Sequence, residues 1–177
     1  RARPGQLISA SAGVGTSNHL SLVQFTSLTG VNITHVPYKG AAPAVADTIG
    51  GHAHMTFAPA PASLSLVQAN RLRLLAVTTP RRFSGLPDVP TIAEAGVPGY
   101  ELTSWVGLLA PAATPPAVLG RIHATLLESL RTPDVRNVLL KSGAEPLGNT
   151  PEEFAQALRR DIPRWGKIIR AAGIRPE

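Results

Sequence analysis

Two short stretches of the chain combine glycine, hydroxyl and lysine residues in a pattern that suits the capture of an anion. The first reads Gly-Val-Gly-Thr-Ser-Asn-His at residues 13–19, and the second reads Val-Pro-Tyr-Lys-Gly at residues 36–40. Each follows residues typical of a strand and leads into a helix-like run. A glycine-containing turn that opens a helix directs free backbone N–H groups and the positive end of the helix dipole at one place. The two stretches therefore predict a site for a carboxylate or a phosphate.

The candidate ligand-binding groups differ in what they offer an anion. In the first turn, the glycines permit close approach of the backbone, and the hydroxyls of the turn and of the strand end can donate hydrogen bonds. In the second turn, the tyrosine ring either rests on the ligand or fills the edge of the sheet, and the lysine either pairs with a carboxylate or extends into solvent. The backbone amides of the two residues after that lysine are the favoured donors. The candidates are Ser11, Gly13, Gly15, Thr16, Ser17, Tyr38, Lys39, Gly40 and Ala41.

Other chemistries fit these residues less well. The first turn lacks the Gly-Lys-Ser/Thr ending with which a phosphate loop binds phosphate and magnesium. A nucleophile at Ser17 would have a histidine nearby, but it lacks a Gly-x-Ser-x-Gly elbow, and Asp47 is the only acid in the first 87 residues. His52 and His54 share one side of a predicted strand, yet no third metal ligand is evident nearby. The sequence therefore predicts no metal, nucleotide or covalent cofactor.

The basic residues are unevenly distributed. The first 87 residues hold seven Lys and Arg against one acid, whereas residues 88–177 hold ten basic and ten acidic residues. A positive field over the first half would raise the local concentration of an anionic ligand. Nucleic acid is not predicted as a partner, because the cations are scattered and aromatic residues make up only 5% of the chain.

Size and composition set further bounds. A chain of 177 residues with 44% hydrophobic side chains can form one substantial core or two small ones. No apolar run approaches the ~20 residues that a membrane-spanning helix needs. Cysteine is absent from the sequence, so disulfides and thiolate metal sites are excluded. Because the chain begins with Arg rather than Met, we expect it to be a processed or cut product.

Apolar patterning predicts alternating strands and helices in the first half of the chain. The strands are predicted near residues 6–11, 31–36, 53–58 and 72–78, and the helices near 17–29, 41–49 and 61–69. This alternation is typical of a parallel α/β sheet, whose ligands gather at the carboxyl ends of the strands. Both turns follow predicted strands, so we expect them to converge on one pocket. Residues 80–99 are rich in proline and glycine and predict a loop with at most a short helix around 91–95.

The second half predicts one apolar stretch and then helices. The stretch covers residues 105–110, and a first helix follows the prolines at 115 and 116. A second helix is expected from residues 132–134 up to Gly143, and a third begins at Thr150, which forms a capping-box pattern with Glu153. Pro163 predicts a kink or restart of that third helix before Trp165.

Several motifs, taken in order, resemble those of the Bug family of periplasmic substrate-binding proteins that serve tripartite tricarboxylate transporters. They are the two turns, the apolar run at 72–78, Leu-Pro-Asp-Val-Pro-Thr at 86–91, Trp-Val-Gly-Leu at 105–108 and Thr-Pro-Glu-Glu-Phe at 150–154. The resemblance covers the later part of such a protein, and the family's signal peptide and first ligand-binding loop have no counterpart here. One departure is Ala58, where many relatives carry an acid, which argues against a ligand bearing an amine.

The resemblance implies a fold and a domain division. The fold would be α/β of the type II periplasmic-binding-protein kind, a parallel-sheet lobe with flanking helices and a helical part of another lobe. Residues 1–102 would be the second lobe, and residues 103–177 would be a crossing strand and helical tail of the first. The apolar faces of that tail would be partly bare, so self-association is expected.

The resemblance also implies a function. The protein would not be an enzyme but a periplasmic solute-binding protein that captures a small organic carboxylate for the membrane permease subunits of its transporter. Two alternatives stay open: an effector-sensing domain of a transcriptional regulator, and a small hydrolase.

Overall fold

A computed structural model of the chain describes residues 5–174. Its first part alternates strands and helices, and its last part is helical. The elements in order are β1 (Leu7–Ser11), α1 (Ser17–Thr29), β2 (Ile33–Pro37), α2 (Ala41–Ile49), β3 (Met55–Thr56), α3 (Ala60–Gln68), α4 (Pro116–Arg131), α5 (Pro133–Lys141) and α6 (Pro151–Ala171). None of the described helices is both long and apolar enough to cross a bilayer.

The strands form a parallel sheet in the order β2-β1-β3, so β1 lies at its centre. Ser11 at the end of β1 is opposite Pro37 at the end of β2, and Ala10 is opposite Thr56 of β3. The carboxyl ends of all three strands therefore lie at one edge, which we call the carboxyl edge. The predicted parallel α/β arrangement is confirmed.

Two hydrophobic clusters hold this part together. In the first, Ala10, Ala44 and Ala53 are almost fully buried, and their small side chains let α2 lie close to the sheet. In the second, Ile92, Tyr100 and Leu102 pack against residues of α1, the loop after β3 and α6. The hydroxyl of Tyr100 donates to the carbonyl oxygen of Ser21 in α1 at 3.1 Å, which satisfies the buried hydroxyl. The long loop before α4 is thus anchored on α1.

The strand predicted near residues 72–78 is absent. Only Val77 is paired there, in an isolated parallel bridge with Thr91, and Leu75 is 66% exposed. A strand needs a neighbouring strand to complete its ladder, whereas the backbone here bonds to loop residues: Val77 N donates to Pro90 O and Leu102 N to Thr78 O, each at 2.9 Å. The loop around 91–95 also forms turns rather than a helix.

Helix α6 is continuous, so the predicted restart at Pro163 is wrong. Proline removes one N–H and disfavours the helical bond to the residue four positions earlier. The following turn is held by tertiary contacts instead: Trp165 packs against the second cluster, and the guanidinium of Arg164 donates to Glu101 O at 2.9 Å. These contacts offset the lost backbone bond.

The predicted capping box at the start of α6 is confirmed. The hydroxyl oxygen of Thr150 accepts from Glu153 N at 3.2 Å, and the carboxylate of Glu153 accepts from Thr150 N at 2.8 Å. Thr132 occupies the same position before α5 but makes no such bond, because its hydroxyl donates back to Ser129 O at 2.7 Å. The two threonines therefore form a matched pair.

We expect Thr150→Ala to lower the free energy of unfolding by about 0.5–2 kcal/mol, because an exposed helix amide loses its acceptor. Thr132→Ala should cost less, since no cap bond is removed. Denaturant melts of the two variants measure the difference. Equal losses would mean that the Thr150 hydroxyl does not stabilise α6.

The apolar segment before α4 is extended but unpaired. The structure assigns no strand to residues 101–110, so the expected crossing strand is not formed among the described residues. Trp105 is held at α6, where its Nε1 donates to Asp161 at 3.2 Å and its ring meets that of Phe154 edge to face. The next residue, Val106, is fully exposed to solvent. No strand is assigned here because, within residues 5–174, no backbone hydrogen bond joins residues 103–110 to another segment.

Candidate functional site

The two predicted turns lie side by side at the carboxyl edge. We call residues 12–17 the glycine turn and residues 38–41 the tyrosine turn. Tyr38 N donates to Ser11 O at 2.9 Å, and Gly40 N donates to Ala12 O at 3.0 Å, so the backbones of the two turns are directly joined. At Gly13 the φ angle is 136°, and a Cβ there would lie 3.4 Å from Tyr38 O. Only glycine fits this approach without strain. The turns thus meet at one edge of the sheet, as expected.

Helices α1 and α2 both begin at this edge without a side-chain cap. Thr16 precedes α1, but its hydroxyl donates to Gly13 O at 2.7 Å and accepts nothing from the helix. Gly40 precedes α2 and has no side chain to offer. Neither helix carries an acid in its first turn. The first-turn amides of a helix lack carbonyl partners within it. The positive ends of both helices therefore lie at the carboxyl edge, and neither has an acidic side chain in its first turn to balance it.

Two stacked histidines lie beneath the glycine turn. The rings of His19 in α1 and His35 in β2 are parallel within 5°, with centroids 3.9 Å apart. Nδ1 of His19 accepts from Gly15 N at 3.1 Å, and Nε2 of His35 is 2.6 Å from Oγ of Ser11. Burial lowers the pKa of both rings, and the neighbouring His19 further lowers the pKa of His35, to about 4. Both rings are therefore neutral near pH 7.

Asn18 ties the start of α1 to the third strand. Its buried side-chain amide donates to the carbonyl oxygen of Phe57, which follows β3. The loop after β3 is thus connected to the first turn of α1, which directly follows the glycine turn. This hydrogen bond helps to fix the position of the N-terminus of α1 relative to β3.

Most of the predicted residues of the glycine turn form hydrogen bonds within the turn or with the two histidines beneath it. Ser11 is 1% exposed, and its hydroxyl bonds to His35 and to Gly13 rather than pointing outward. The Gly13 amide donates to Ser11 Oγ at 3.2 Å and the Gly15 amide to His19. Thr16 closes the turn onto Gly13 O. Ser17 is exposed at the first position of α1, the helix whose first-turn amides lack carbonyl partners within it.

In the tyrosine turn, Gly40 differs from the prediction that its backbone amide is free to bind a ligand. The Gly40 amide cannot be the predicted donor, because Ala12 O already accepts it. The ring of Tyr38 packs on the alanine cluster at the sheet edge, and its hydroxyl donates to Asp47 at 2.5 Å, which raises the pKa of Tyr38. Lys39 is exposed. Ala41 opens α2, and no backbone hydrogen bond from its amide is formed among the described residues.

His54, one of the two histidines considered as metal ligands, makes a hydrogen bond to the backbone of β1. His54 Nδ1 accepts from Ile8 N at 3.1 Å, which joins the segment before β3 to β1. Within residues 5–174, no group of three His, Asp or Glu side chains is close enough to hold a metal ion. The rings of His19 and His35 bond to Gly15 and Ser11, so neither histidine activates Ser17 as a nucleophile.

Three further residues at this edge, Asn18, His19 and His35, were not among the predicted site residues. Their signal is present in the motif itself, because Asn and His directly follow the glycines, and His35 lies two residues before the end of β2. Polar side chains buried beside a predicted turn are candidates for holding it in shape.

Comparison with known proteins places the chain in a family. The family model described as the tripartite tricarboxylate transporter family receptor matches residues 1–174. The chain belongs to this family. It is 39% identical over 170 residues to the UPF0065 protein in the tcbD-tcbE intergenic region of a Pseudomonas species, covering 96% of the chain and 51% of that relative. The chain thus spans about half the length of this receptor-family protein.

Solved structures of receptor-family proteins share the fold. R. palustris Rpa4515 with adipate superposes with a TM-score of 0.90 at 41% identity, covering 100% of this chain and 59% of that one. The periplasmic binding protein BugD superposes with a TM-score of 0.83 at 29% identity, covering 99% and 60%. The resemblance to Bug proteins is confirmed.

Proposed function

We propose that the protein is the solute-binding receptor of a tripartite tricarboxylate transporter, and that it captures a small organic carboxylate in the periplasm for the permease subunits. The observation that carries this proposal is the pair of uncapped, acid-free helix N-termini joined at the carboxyl edge. Membership of a receptor family and the adipate bound by the similar Rpa4515 support the choice of a carboxylate over other anions.

The proposed binding mode uses backbone amides rather than a bidentate arginine. One carboxylate oxygen would face the first turn of α1 at Ser17, and the other would face the start of α2 at Ala41. Each helix end presents about half a positive charge. Ordered water would complete the contacts, because neither turn contains an arginine. Lys39 and the positive first half of the chain would attract the anion.

We further propose that residues 1–102 are one lobe of the receptor and residues 103–177 belong to the other. In support, the sheet, both clusters and the candidate site draw most of their residues from positions 5–102. The helices after residue 115 instead carry exposed apolar residues, including Val118, Leu119 and Ile122 of α4. In this division, the carboxyl edge is one wall of the ligand cleft.

The alternatives gain no support from the site. A hydrolase would need a base beside Ser17, and the two nearby imidazoles are committed elsewhere. An effector-sensing domain would share the anion chemistry, but the family match favours the transport receptor.

The test is a titration of isotope-labelled protein with a panel of adipate, citrate, glutamate and benzoate. Because one wall alone contacts the ligand, we expect weak binding of at least one acid, with Kd on the order of 1 mM for residues 1–177. Amide signals of residues 13–19 and 38–42 should move, and the neutral adipamide should leave them unchanged. Shifts confined to α4 and α5, or no shifts with any acid, would contradict the proposal.

A further inference from the structure

We propose that His19 and His35 are positioning residues of the anion site, which hold the glycine turn in its binding shape as a stacked pair of neutral imidazoles. The inference rests on the proposed function only for what the turn binds. The contacts that carry it are those of the two rings with Gly15 and Ser11.

His19 must be neutral for its contact with the turn to exist. The Gly15 N–H donates to Nδ1, so this nitrogen carries a lone pair and the ring proton lies on Nε2. In an imidazolium both nitrogens are donors, and two N–H groups would face each other at 3.1 Å. Gly15 has a φ of 75°, and the hydrogen bond from its amide ties it to His19. Protonation of His19 therefore releases the middle of the turn.

His35 acts on the same turn through a serine. Its Nε2 bonds to Ser11 Oγ, and the same oxygen accepts from Gly13 N at 3.2 Å. Gly13 carries the close approach to Tyr38 O that joins the two turns. The pair therefore anchors both glycines, and through them sets where the first turn of α1 lies relative to α2.

Nothing around the pair stabilises a positive charge on it. Helix α6, which contacts α1, carries Asp161, whose carboxylate already accepts from Trp105 Nε1 and Arg160 Nε. The strands, helices and loops of residues 5–59 hold one acid, Asp47. That carboxylate is held by the hydroxyl of Tyr38. The remaining titratable groups are Lys39, His52 and His54, and none of them is bonded to either ring in the described residues. A second charge on stacked rings 3.9 Å apart would add direct repulsion.

The acid response follows from the lowered pKa values of both rings. An unfolded histidine takes up its proton near pH 6.5, whereas His35 in the folded protein does so near pH 4. Below pH 6.5 the unfolded state thus binds more protons, so the free energy of unfolding falls as the pH drops from 6.5 towards 4, and this stabilisation is retained above pH 6.5.

Two pairs of substitutions distinguish the loss of a correctly placed polar atom from a change in the size of the side chain. In His19→Asn the amide oxygen can take the place of Nδ1, whereas His19→Gln extends its amide past that point. For His35 the order reverses, because Gln reaches the place of Nε2 and Asn does not. We expect His19→Asn and His35→Gln to bind adipate within about threefold of the unmodified protein, and His19→Gln and His35→Asn to bind at least roughly tenfold more weakly. Equal affinities within each pair would overturn the proposal.

Readouts without ligand keep the inference independent of the proposed function. In the unmodified protein at pH 7, nitrogen NMR should show Nδ1 of His19 unprotonated, and Gly15 N–H should be protected from exchange. Relative to the intrinsic rate, that protection should fall as the pH drops from 6.5 to 4.5, but stay level in His19→Asn. A protonated Nδ1 or an unprotected Gly15 would disprove the role. If these results hold while no acid binds, the proposed function fails and the positioning role stands.

Discussion

Replacing Ser17 by Asp is expected to abolish anion binding while leaving the fold as stable or slightly more stable. Ser17 is exposed at the first position of α1, where neither a cap nor an acid satisfies the helix end. A carboxylate there should stabilise the helix by about 0.3–1 kcal/mol through the dipole and the free amides. The same group occupies the anion position and repels a ligand of like charge. We expect affinity for adipate to fall by about 100-fold or more, a loss near 2.7 kcal/mol.

The matched control is Ser27→Asp. Ser27 is exposed near the other end of the same helix, where the dipole is negative. The net charge changes by the same amount, so any effect of overall charge is shared. We expect a small loss of stability and unchanged binding. Calorimetry with adipate and thermal melts of both variants are the measurements. Retained binding in Ser17→Asp would place the ligand away from the start of α1.

Local patterns predicted the first half of the fold well because each element there is short and carries its own signals. Helix α1 lies at the predicted residues 17–29, at the end of the glycine turn. Helix α2 lies at the predicted residues 41–49, at the end of the tyrosine turn. The segment at 72–78 was also predicted to be a strand, but it formed none. Whether such a segment becomes a strand depends on a distant partner for its backbone, and composition does not contain that information.

The candidate site was predicted in position but not in its internal bonding. Sequence placed two glycine-containing turns after parallel strands, and topology alone brings such strand ends to one edge. It could not show that Ala12 O takes the Gly40 amide, or that Ser11 turns inward to His35. These bonds join residues that are more than twenty positions apart, and they depend on the register between β1 and β2.

A surface on the last part of the chain is too apolar to remain bare in water. Val106, Leu108 and Leu109 are between 64% and 104% exposed and follow one another in an extended, unpaired segment. On α4, a groove of about 580 Å³ is lined by residues that include Val118 and Ile122. Exposed apolar patches and free strand edges both promote association. The Pseudomonas relative is about twice as long, so a protein of that length has further chain with which to cover this surface.

Residues 1–177 expressed alone are therefore expected to self-associate at micromolar to millimolar concentration. The double variant Val106→Lys, Leu109→Lys should be monomeric at the same concentration, because both side chains are exposed and their charges repel a second copy without disturbing the core. Leu28→Lys is the control, since Leu28 is 47% exposed near the end of α1 and lies outside this surface. Light scattering and sedimentation of the three proteins decide the outcome. A monomeric unmodified chain across that range would mean that the exposed segment folds back onto its own helices in solution, and the division into lobes at residue 102 would lose the support of the exposed apolar residues.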